Sequence, residues 1–402
     1  MKRTKIFNGT VITPHRTIAD GYVVIENGKI AEVGAGNVEV PDCEEIDAGG
    51  RYISPGFIDI HTHGAGGYDF MDGTVEAFLG TARMHARHGA TTLYPTTLTS
   101  TTELLEETFD LYRQAAGLGG VDGAGFGGLH LEGPYFSREN KGAQDPRYLR
   151  NPEPKEYMRL LERGEGLIAR WSLAPELDGA FAFGRELVRR GIIPAVAHTA
   201  ARYEQVVEAY ENGFRLMVHF FSCMSTITRQ NGHRVAGALE AGYALEGMDV
   251  EIIGDGIHVY PPLLKLIHKI KGADHIALVS DSMRAAGMPE DRQYMLGSLK
   301  DGQLVRIEEG VAKLMDGSAF ASSIVTMDRC VRTMYRLGEV PLADAVKMAS
   351  LTPARAMGVA SSKGSIAPGM DADIVLFDGE VRVGLTMVGG KVVFGGVVGW
   401  GG

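Results

Sequence analysis

The chain has 402 residues, 45% of them hydrophobic, and its mean hydropathy of -0.03 is typical of a globular protein with one large and one small domain. Its net charge of -10 argues against nucleic-acid binding, and no apolar run approaches the ~20 residues that a membrane-spanning helix needs. Three widely separated cysteines, Cys43, Cys223 and Cys330, argue against a disulfide framework and provide no Cys-x-x-Cys zinc motif.

The two ends of the chain share a pattern of short alternating strands and glycine turns. Asn27-Gly28 and Gly389-Gly390 are hairpin signals between such strands. We therefore expect residues 1–53 and 360–402 to form one small β domain together. The first residues, Met1–Thr10, are basic but lack the apolar stretch of a signal peptide, which predicts a cytoplasmic protein.

The middle of the chain, residues 54–359, alternates short apolar strands with amphipathic helical stretches, which is typical of parallel βα units. The sequence predicts eight strands: Phe57–Ile60, Thr91–Pro95, Gly128–Leu131, Ala169–Leu173, Ile192–Ala197, Leu216–Phe220, Val250–Ile253 and Ile276–Val279. Helical patterns include Val75–His88, Ala180–Arg190, Tyr203–Asn212 and Pro262–Lys271. This pattern predicts an α/β fold, a (β/α)8 TIM barrel. A doubly wound open sheet is the alternative, although no Gly-x-Gly-x-x-Gly motif follows the first strand.

Histidine and carboxylate side chains occur at the ends of several of these strands. The set comprises His61, His63, Glu132, His198, His219 and Asp281. His61 and His63 are two positions apart, so their side chains point to the same face of the first strand. Because the carboxyl ends of barrel strands meet on one face, these side chains should converge. Nitrogen and oxygen donors in such a cluster predict a metal site.

Several of these polar residues admit more than one role. Glu132 ends an apolar strand, where an unpaired carboxylate is costly, and this favours a metal ligand over a salt bridge. Asp281 is the natural general base for a metal-activated water, but it could also be a ligand. Asp255 and His258, on a glycine-containing turn, could contact a substrate or cap the next helix. Cys223 could supply a thiolate, although its spacing from the sixth-strand histidine is not a known zinc pattern.

Longer segments of the chain resemble the motifs of one enzyme family. Pro55–Gly64 resembles the first-strand motif of the amidohydrolase superfamily. Other segments resemble, more narrowly, the N-acetylglucosamine-6-phosphate deacetylase family: His130–Pro134, Lys141–Pro146, Leu173–Glu176, Ala197–Thr199, Gly254–His258, Ser280–Gly287, Thr352–Arg355 and Lys363–Ile374. The resemblance extends over essentially the whole chain.

The resemblance implies a TIM barrel with a small β-sandwich formed by the two termini. It also implies hydrolysis of a 2-acetamido sugar phosphate to an amine and acetate, in amino-sugar catabolism. Glu132, His198 and His219 match the main ligands of a divalent metal cation, and His61 and His63 match members that hold a second one. Zinc is the expected metal, with iron, cobalt, manganese or nickel as alternatives. Asp281 matches the catalytic acid and base of the family.

The resemblance further implies a homodimer and a sugar-phosphate pocket. The matched or suggested substrate-binding positions are Ala143, Gln144, Ser222, Cys223, Arg229, Arg234, Asp255, His258, Phe320, Ala321 and Ser322. Three positions depart from the family pattern. Gln144 replaces a histidine and Ser222-Cys223 replaces Asn-Ala. The arginine that the family supplies to the phosphate across its dimer interface should fall near Asn231, where this chain offers Arg229 or Arg234 instead.

These departures leave other substrates open, namely the galacto epimer, another N-acyl sugar or an N-acyl amino acid. A catalytically silent sugar-phosphate sensor is a further alternative, against which the complete set of ligands argues. The segment Leu167–Glu176 contains no lysine that could be carboxylated to bridge two metals. This argues against a dihydroorotase or hydantoinase and leaves Glu132 as the only plausible bridge.

Overall fold

The computed structural model of the protein describes residues 3–36 and 38–395. The glycine-rich tail that belongs to the predicted β domain, residues 396–402, lies outside the described residues. Eight parallel strands form a nearly closed barrel: Phe57–Thr62, Ala90–Thr97, Leu129–Glu132, Ile168–Leu173, Ile193–Val196, Leu216–Met217, Asp249–Ile253 and Ile276–Val279. Each of them pairs with the next in chain order, and Gly125–Phe126 adds a short strand beside the second. The eighth strand lies beside the first, where the Asp281 N–H donates to the His61 carbonyl at 2.8 Å.

The sixth strand is shorter than the sequence predicts. It ends at Met217 rather than Phe220, so His219 lies beyond the strand and not within it. The backbone of His219 has a φ of 32°, in the left-handed region, which cannot continue a strand. The hydrophobic run was misleading here because Val218 and Phe220 are buried in the core although they are not part of the strand.

Ten α-helices occur in the described part of the chain, and most of them cover the outside of the barrel. They are α1 (Val75–Ala86), α2 (Thr102–Ala116), α3 (Pro154–Arg163), α4 (Ala180–Arg189), α5 (Tyr203–Glu211), α6 (Ala238–Ala244), α7 (Pro261–Lys271), α8 (Met327–Arg336), α9 (Leu342–Ala349) and α10 (Leu351–Ala356). Thr74 and Thr101 begin α1 and α2 by accepting hydrogen bonds from backbone N–H groups of the first turn. None of the described helices combines the length and hydrophobicity needed to span a bilayer.

The two ends of the chain contribute to one eight-stranded sheet. Its strands are Arg3–Ile12, Thr17–Glu26, Lys29–Ala35, Cys43–Asp47, Tyr52–Pro55, Ile374–Phe377, Val383–Val388 and Lys391–Gly395. The strand Ile374–Phe377 pairs antiparallel with Tyr52–Pro55, which joins the C-terminal part of the chain to the N-terminal part. This sheet has a hydrophobic core of its own, separate from that of the barrel. The predicted fold class is thereby confirmed. We propose that residues 1–53 and 360–402 form the small β domain and that residues 54–359 form the barrel domain.

A four-stranded sheet that the sequence did not predict follows the eighth barrel strand. Its strands are Gln293–Leu296, Gln303–Glu308, Val311–Leu314 and Phe320–Ser323. Short pairs also form between Gly64–Ala65 and Tyr68–Asp69, and between Thr228–Gln230 and His233–Val235. The Ser323 N–H donates to the Asp281 carbonyl at 2.9 Å, so the last strand of the sheet lies against the end of the barrel. The predicted substrate-binding positions Phe320, Ala321 and Ser322 therefore lie on a strand.

Candidate active site

The five histidine and glutamate side chains predicted to bind metal meet at the carboxyl end of the barrel. All five are buried. The Glu132 Oε1 atom lies 3.1 Å from His219 Nε2, 3.3 Å from His198 Nε2 and 3.6 Å from His61 Nε2. Its Oε2 atom lies 3.5 Å from His63 Nε2. Glu132 therefore stands at the centre of the cluster and faces an imidazole nitrogen of each histidine.

The cluster fits a divalent cation. Two groups, His61–His63–Glu132 and Glu132–His198–His219, each place their donor atoms within 4.8 Å of one another. The His61 Nε2 atom is buried and has no hydrogen-bond partner in the described chain, although it faces the Glu132 carboxylate. Imidazole nitrogens and carboxylate oxygens are common donors for zinc and related first-row metals. Because the two groups share Glu132, the arrangement can hold one cation or two.

Asp281 lies beside this cluster. Its Oδ1 atom is 3.3 Å from His63 Nε2 and accepts a hydrogen bond from the Ser322 hydroxyl at 2.9 Å. Burial alone would raise the pKa of Asp281, but attraction to His61 and the hydrogen bond with His63 outweigh burial and hold the pKa below its ordinary value. The carboxyl group is therefore ionised at neutral pH and can accept a proton.

The pKa values of His63 and Glu132 reflect attraction between carboxylates and imidazoles. Burial alone would lower the pKa of His63, but Asp281 and Glu132 raise it to about 9. Burial would raise the pKa of Glu132, but attraction to His61 and hydrogen bonds with His198 and His219 hold it well below its ordinary value. Both pKa shifts have the same cause, because a buried carboxylate stabilises a positive charge on a neighbouring imidazole and is itself stabilised by that charge. A divalent cation would meet the same attraction.

Three of the converging residues have left-handed backbone conformations. The φ angles are 44° at His198, 32° at His219 and 44° at Asp281. Such conformations cost on the order of 1–3 kcal/mol each for residues other than glycine and are concentrated at functional sites. The turns follow closely on barrel strands. His198 and His219 face Glu132, whereas Asp281 faces His63.

A cavity of about 290 Å³ opens above the cluster. Seven of the predicted substrate-binding residues line it: Ala143, Gln144, Ser222, Cys223, His258, Phe320 and Ser322. Six further residues line it: Leu98, Gly142, Phe221, Ile253, Leu296 and Ala319. Three of these carried a signal in the sequence, since Gly142 lies in the matched segment Lys141–Pro146, Ala319 directly precedes the predicted Phe320, and Ile253 ends the seventh strand. No lysine or arginine of the described ranges lines the cavity.

Four predicted substrate-binding residues do not line the cavity. Ala321 is buried in the small core of the four-stranded sheet, and Arg229 and Arg234 lie on an exposed hairpin. Asp255 accepts hydrogen bonds from the backbone N–H groups of Ile257 and His258. Its Oδ2 atom is also 2.6 Å from His258 Nδ1. Asp255 therefore orients the ring of His258, a residue that lines the cavity.

The side chain of Gln144 makes contacts that its sequence position did not suggest. Its amide nitrogen donates to Glu132 Oε2 at 2.7 Å, and its amide oxygen accepts the Thr99 N–H at 3.0 Å. Gln144 thus fixes the rotation of the Glu132 carboxylate. It lines the cavity as well, but its polar atoms are already engaged within the protein.

Cys223 lies against His198 at the edge of the cavity. Burial would raise the pKa of its thiol, but the neighbouring His198 lowers it below the ordinary value. A Cβ atom at Gly142 would lie only 2.6 Å from the Cys223 Sγ atom, so glycine leaves the space that the thiol occupies. Among the described residues, neither group of candidate metal ligands includes Cys223.

Known proteins resemble this chain over nearly its whole length. A sequence profile of the Amidohydrolase family matches residues 52–393. The N-acetylglucosamine-6-phosphate deacetylase of Lysinibacillus sphaericus is 32% identical over 397 residues, covering 96% of this chain and 97% of that protein. The N-acetylgalactosamine-6-phosphate deacetylase of Escherichia coli O157:H7 is 32% identical over 382 residues, covering 95% and 97%.

A solved structure agrees with these relatives. It is the N-acetyl-D-glucosamine-6-phosphate deacetylase of Mycobacterium smegmatis, an aspartate-to-alanine mutant in complex with N-acetyl-D-glucosamine-6-phosphate. It is 32% identical with a TM-score of 0.89, and the similarity covers 98% of this chain and 100% of that one. These similarities confirm the family resemblance that the motifs predict.

Proposed function

This chain belongs to the amidohydrolase family, and from that premise we propose that it is a metal-dependent deacetylase of N-acetylhexosamine 6-phosphates, with N-acetylglucosamine 6-phosphate as its first substrate. The observation that carries the proposal is the buried group Glu132–His198–His219 beside the ionised Asp281, at the base of a cavity of about 290 Å³. The relatives and the solved neighbour supply the substrate class.

We assign Glu132, His198 and His219 to one divalent cation and His61 and His63 to a second. A bound cation of this kind polarises a carbonyl and lowers the pKa of water. The donor set favours zinc, and iron, cobalt, manganese and nickel suit the same ligands. Elemental analysis of protein purified without added metal identifies the native ion and its number per chain.

Asp281 performs the proton transfers in this proposal. Its carboxylate accepts a proton from the water that attacks the acetamide carbon. It then donates that proton to the departing nitrogen, so the carbon–nitrogen bond breaks to give the amine and acetate. The Ser322 hydroxyl, 2.9 Å from Asp281 Oδ1, keeps the carboxylate directed toward the cavity. His258, oriented by Asp255, is available for a hydroxyl or phosphate oxygen of the sugar.

The substrate itself is tested by a panel of acetamido sugars. We expect kcat/KM for N-acetylglucosamine 6-phosphate to exceed that for its galacto epimer, and both to exceed those for the free sugars. The reason is that a site built for a charged phosphate loses that interaction with the free sugar. Acetate release measured at equal enzyme concentration decides the order. A higher kcat/KM for the galacto epimer would make N-acetylgalactosamine 6-phosphate the substrate, as the name of the Escherichia coli relative states for that protein.

The phosphate calls for a cation, and no lysine or arginine among the described residues lines the cavity. We propose that Arg229 and Arg234 provide it, from the hairpin of one protomer to the cavity of its partner in a homodimer. The two arginines stand opposite each other across the hairpin, and both are exposed. Like charges in directly opposite positions are destabilising unless an anion lies near them, and arginine suits bidentate contacts with phosphate. Because a sugar phosphate is a charged metabolite, we also propose a cytoplasmic location.

The Arg229→Ala/Arg234→Ala variant should raise KM for the phosphorylated substrate by roughly 10- to 100-fold with a small change in kcat. The free sugar should be turned over as before, since it has no phosphate to lose contact with. Arg382→Ala is the matched control, because Arg382 is also exposed, at 74%, and lies near the terminal sheet. An unchanged KM in the double variant would contradict this role. Light scattering gives the oligomeric state.

A further inference from the structure

The interior of the barrel contains an ion pair that the proposed reaction does not use. Arg170 and Glu251 project from the fourth and seventh strands, and both are 0% exposed. The Arg170 Nη1 atom donates to Glu251 Oε1. A buried pair of this kind is weak evidence for a stabilising role, because desolvation of the two charges offsets their attraction. What the pair touches is therefore more informative than its presence.

The second oxygen of Glu251 contacts a candidate metal ligand. Its Oε2 atom lies 3.1 Å from His61 Nδ1 and also accepts the His219 N–H at 3.4 Å. An ionised carboxylate can only accept a hydrogen bond, so His61 Nδ1 must carry a proton. In a ring that binds a metal the lone pair then lies on Nε2, which is 3.6 Å from both Glu132 Oε1 and Asp281 Oδ1. The contact with Glu251 thus directs an imidazole lone pair into the metal-ligand cluster.

Arg170 extends the same network to a second ring. Its Nη2 atom donates to His130 Nε2 at 3.2 Å, and His130 Nδ1 lies 3.2 Å from the Thr96 hydroxyl. The rings of His130 and His61 pack edge to face, with centroids 4.7 Å apart and an interplanar angle of 89°. Arg170 therefore contacts both Glu251 and His130, which lie on different sides of the His61 ring.

We propose that Glu251, held in place by Arg170, is a positioning residue that fixes the proton and the ring orientation of His61 so that Nε2 can bind a metal cation. The inference rests on the proposed function, which makes His61 a ligand. A carboxylate that accepts the second N–H of a ligating histidine fixes its tautomer and makes it a better donor. Loss of such a partner weakens metal binding by about 10- to 100-fold.

Two double variants separate this role from that of a structural ion pair. Glu251→Leu/Arg170→Met and Glu251→Gln/Arg170→Met both remove the two charges together, so neither leaves an unpaired buried charge. They differ in one respect, because only glutamine keeps an oxygen that can accept the His61 N–H. His61→Ala defines the zinc that depends on His61. Zinc affinities of the purified full chain are measured by competition with a chelator, independently of activity.

We expect the leucine variant to lower the affinity for the His61-dependent zinc by about 10- to 100-fold, close to the effect of His61→Ala. The glutamine variant should restore most of that affinity. Lys363→Met/Asp373→Leu, which removes an ion pair of 2.6 Å beside the terminal sheet, should leave zinc binding unchanged. Equal affinities in the two Glu251 variants, or no effect of His61→Ala, would overturn the proposal.

The wild-type protein provides a test that does not depend on the folding of any variant. Nitrogen NMR of histidine-labelled, zinc-loaded protein should show His61 Nδ1 as protonated, with His61→Ala assigning the signal. An unprotonated Nδ1 would overturn the proposal. A failure of the proposed function looks different, since the chain would then bind no divalent metal or release no acetate whatever the state of His61.

Discussion

The Asp281→Asn variant is expected to lose roughly two to four orders of magnitude in kcat while it retains its metal. Asparagine has the size and shape of aspartate, but its amide cannot accept a proton from water or return one to the leaving nitrogen. Asp281 Oδ1 lies 3.3 Å from His63 Nε2 and faces the cavity above the ligand cluster. Among the described residues that line the cavity, the only other carboxylate is that of Glu132, which occupies the central ligand position.

The measurement is acetate release in a single turnover together with the metal content of the same preparation. Asp328→Asn is the matched control, because Asp328 is also a buried aspartate but contacts His88 and Thr326 away from the cavity. The control should keep near-normal kcat. If Asp281→Asn were fully active, the acid–base role would be wrong, whereas loss of its metal would make Asp281 a ligand.

Glu132→Ala should lose both the metal and the activity. Its carboxylate is the only group common to the two candidate metal sites, and it lies within 3.6 Å of a nitrogen of each of the four imidazoles. Its removal leaves only imidazole nitrogens as donors in both groups. We expect the metal affinity to fall by more than about 100-fold, a larger effect than removal of a supporting residue produces.

Elemental analysis after dialysis against a weak chelator tests this expectation, and circular dichroism checks the fold of the variant. Glu156→Ala is a suitable control, because Glu156 forms a partly buried ion pair with Arg150 at 2.5 Å that does not involve the ligand cluster. The control should retain its full metal content. A Glu132→Ala protein with normal metal content would show that the ligands have been assigned incorrectly.

The supporting residues were harder to predict than the ligands. Arg170 and Glu251 lie inside apolar strands, at Ile168–Leu173 and Asp249–Ile253, and a charge in such a run is costly unless it is paired. That cost was a signal that something opposes each charge, but the sequence could not identify their contact across the barrel. Gln144 is similar, because its contacts with Glu132 and Thr99 depend on the path of a long loop.

The sequence by itself determined the number and order of the barrel strands, the small β domain from both termini and the set of candidate ligands at the strand ends. It could do so because strand formation follows from local hydrophobic patterns, and the carboxyl ends of parallel barrel strands share one face. The tertiary structure alone decided which atoms meet. The left-handed turns at His198, His219 and Asp281, the four-stranded sheet beside the cavity and the contact of Glu251 with His61 arise from packing between distant segments. Such contacts depend on barrel closure and loop conformation, which no local pattern of residues specifies.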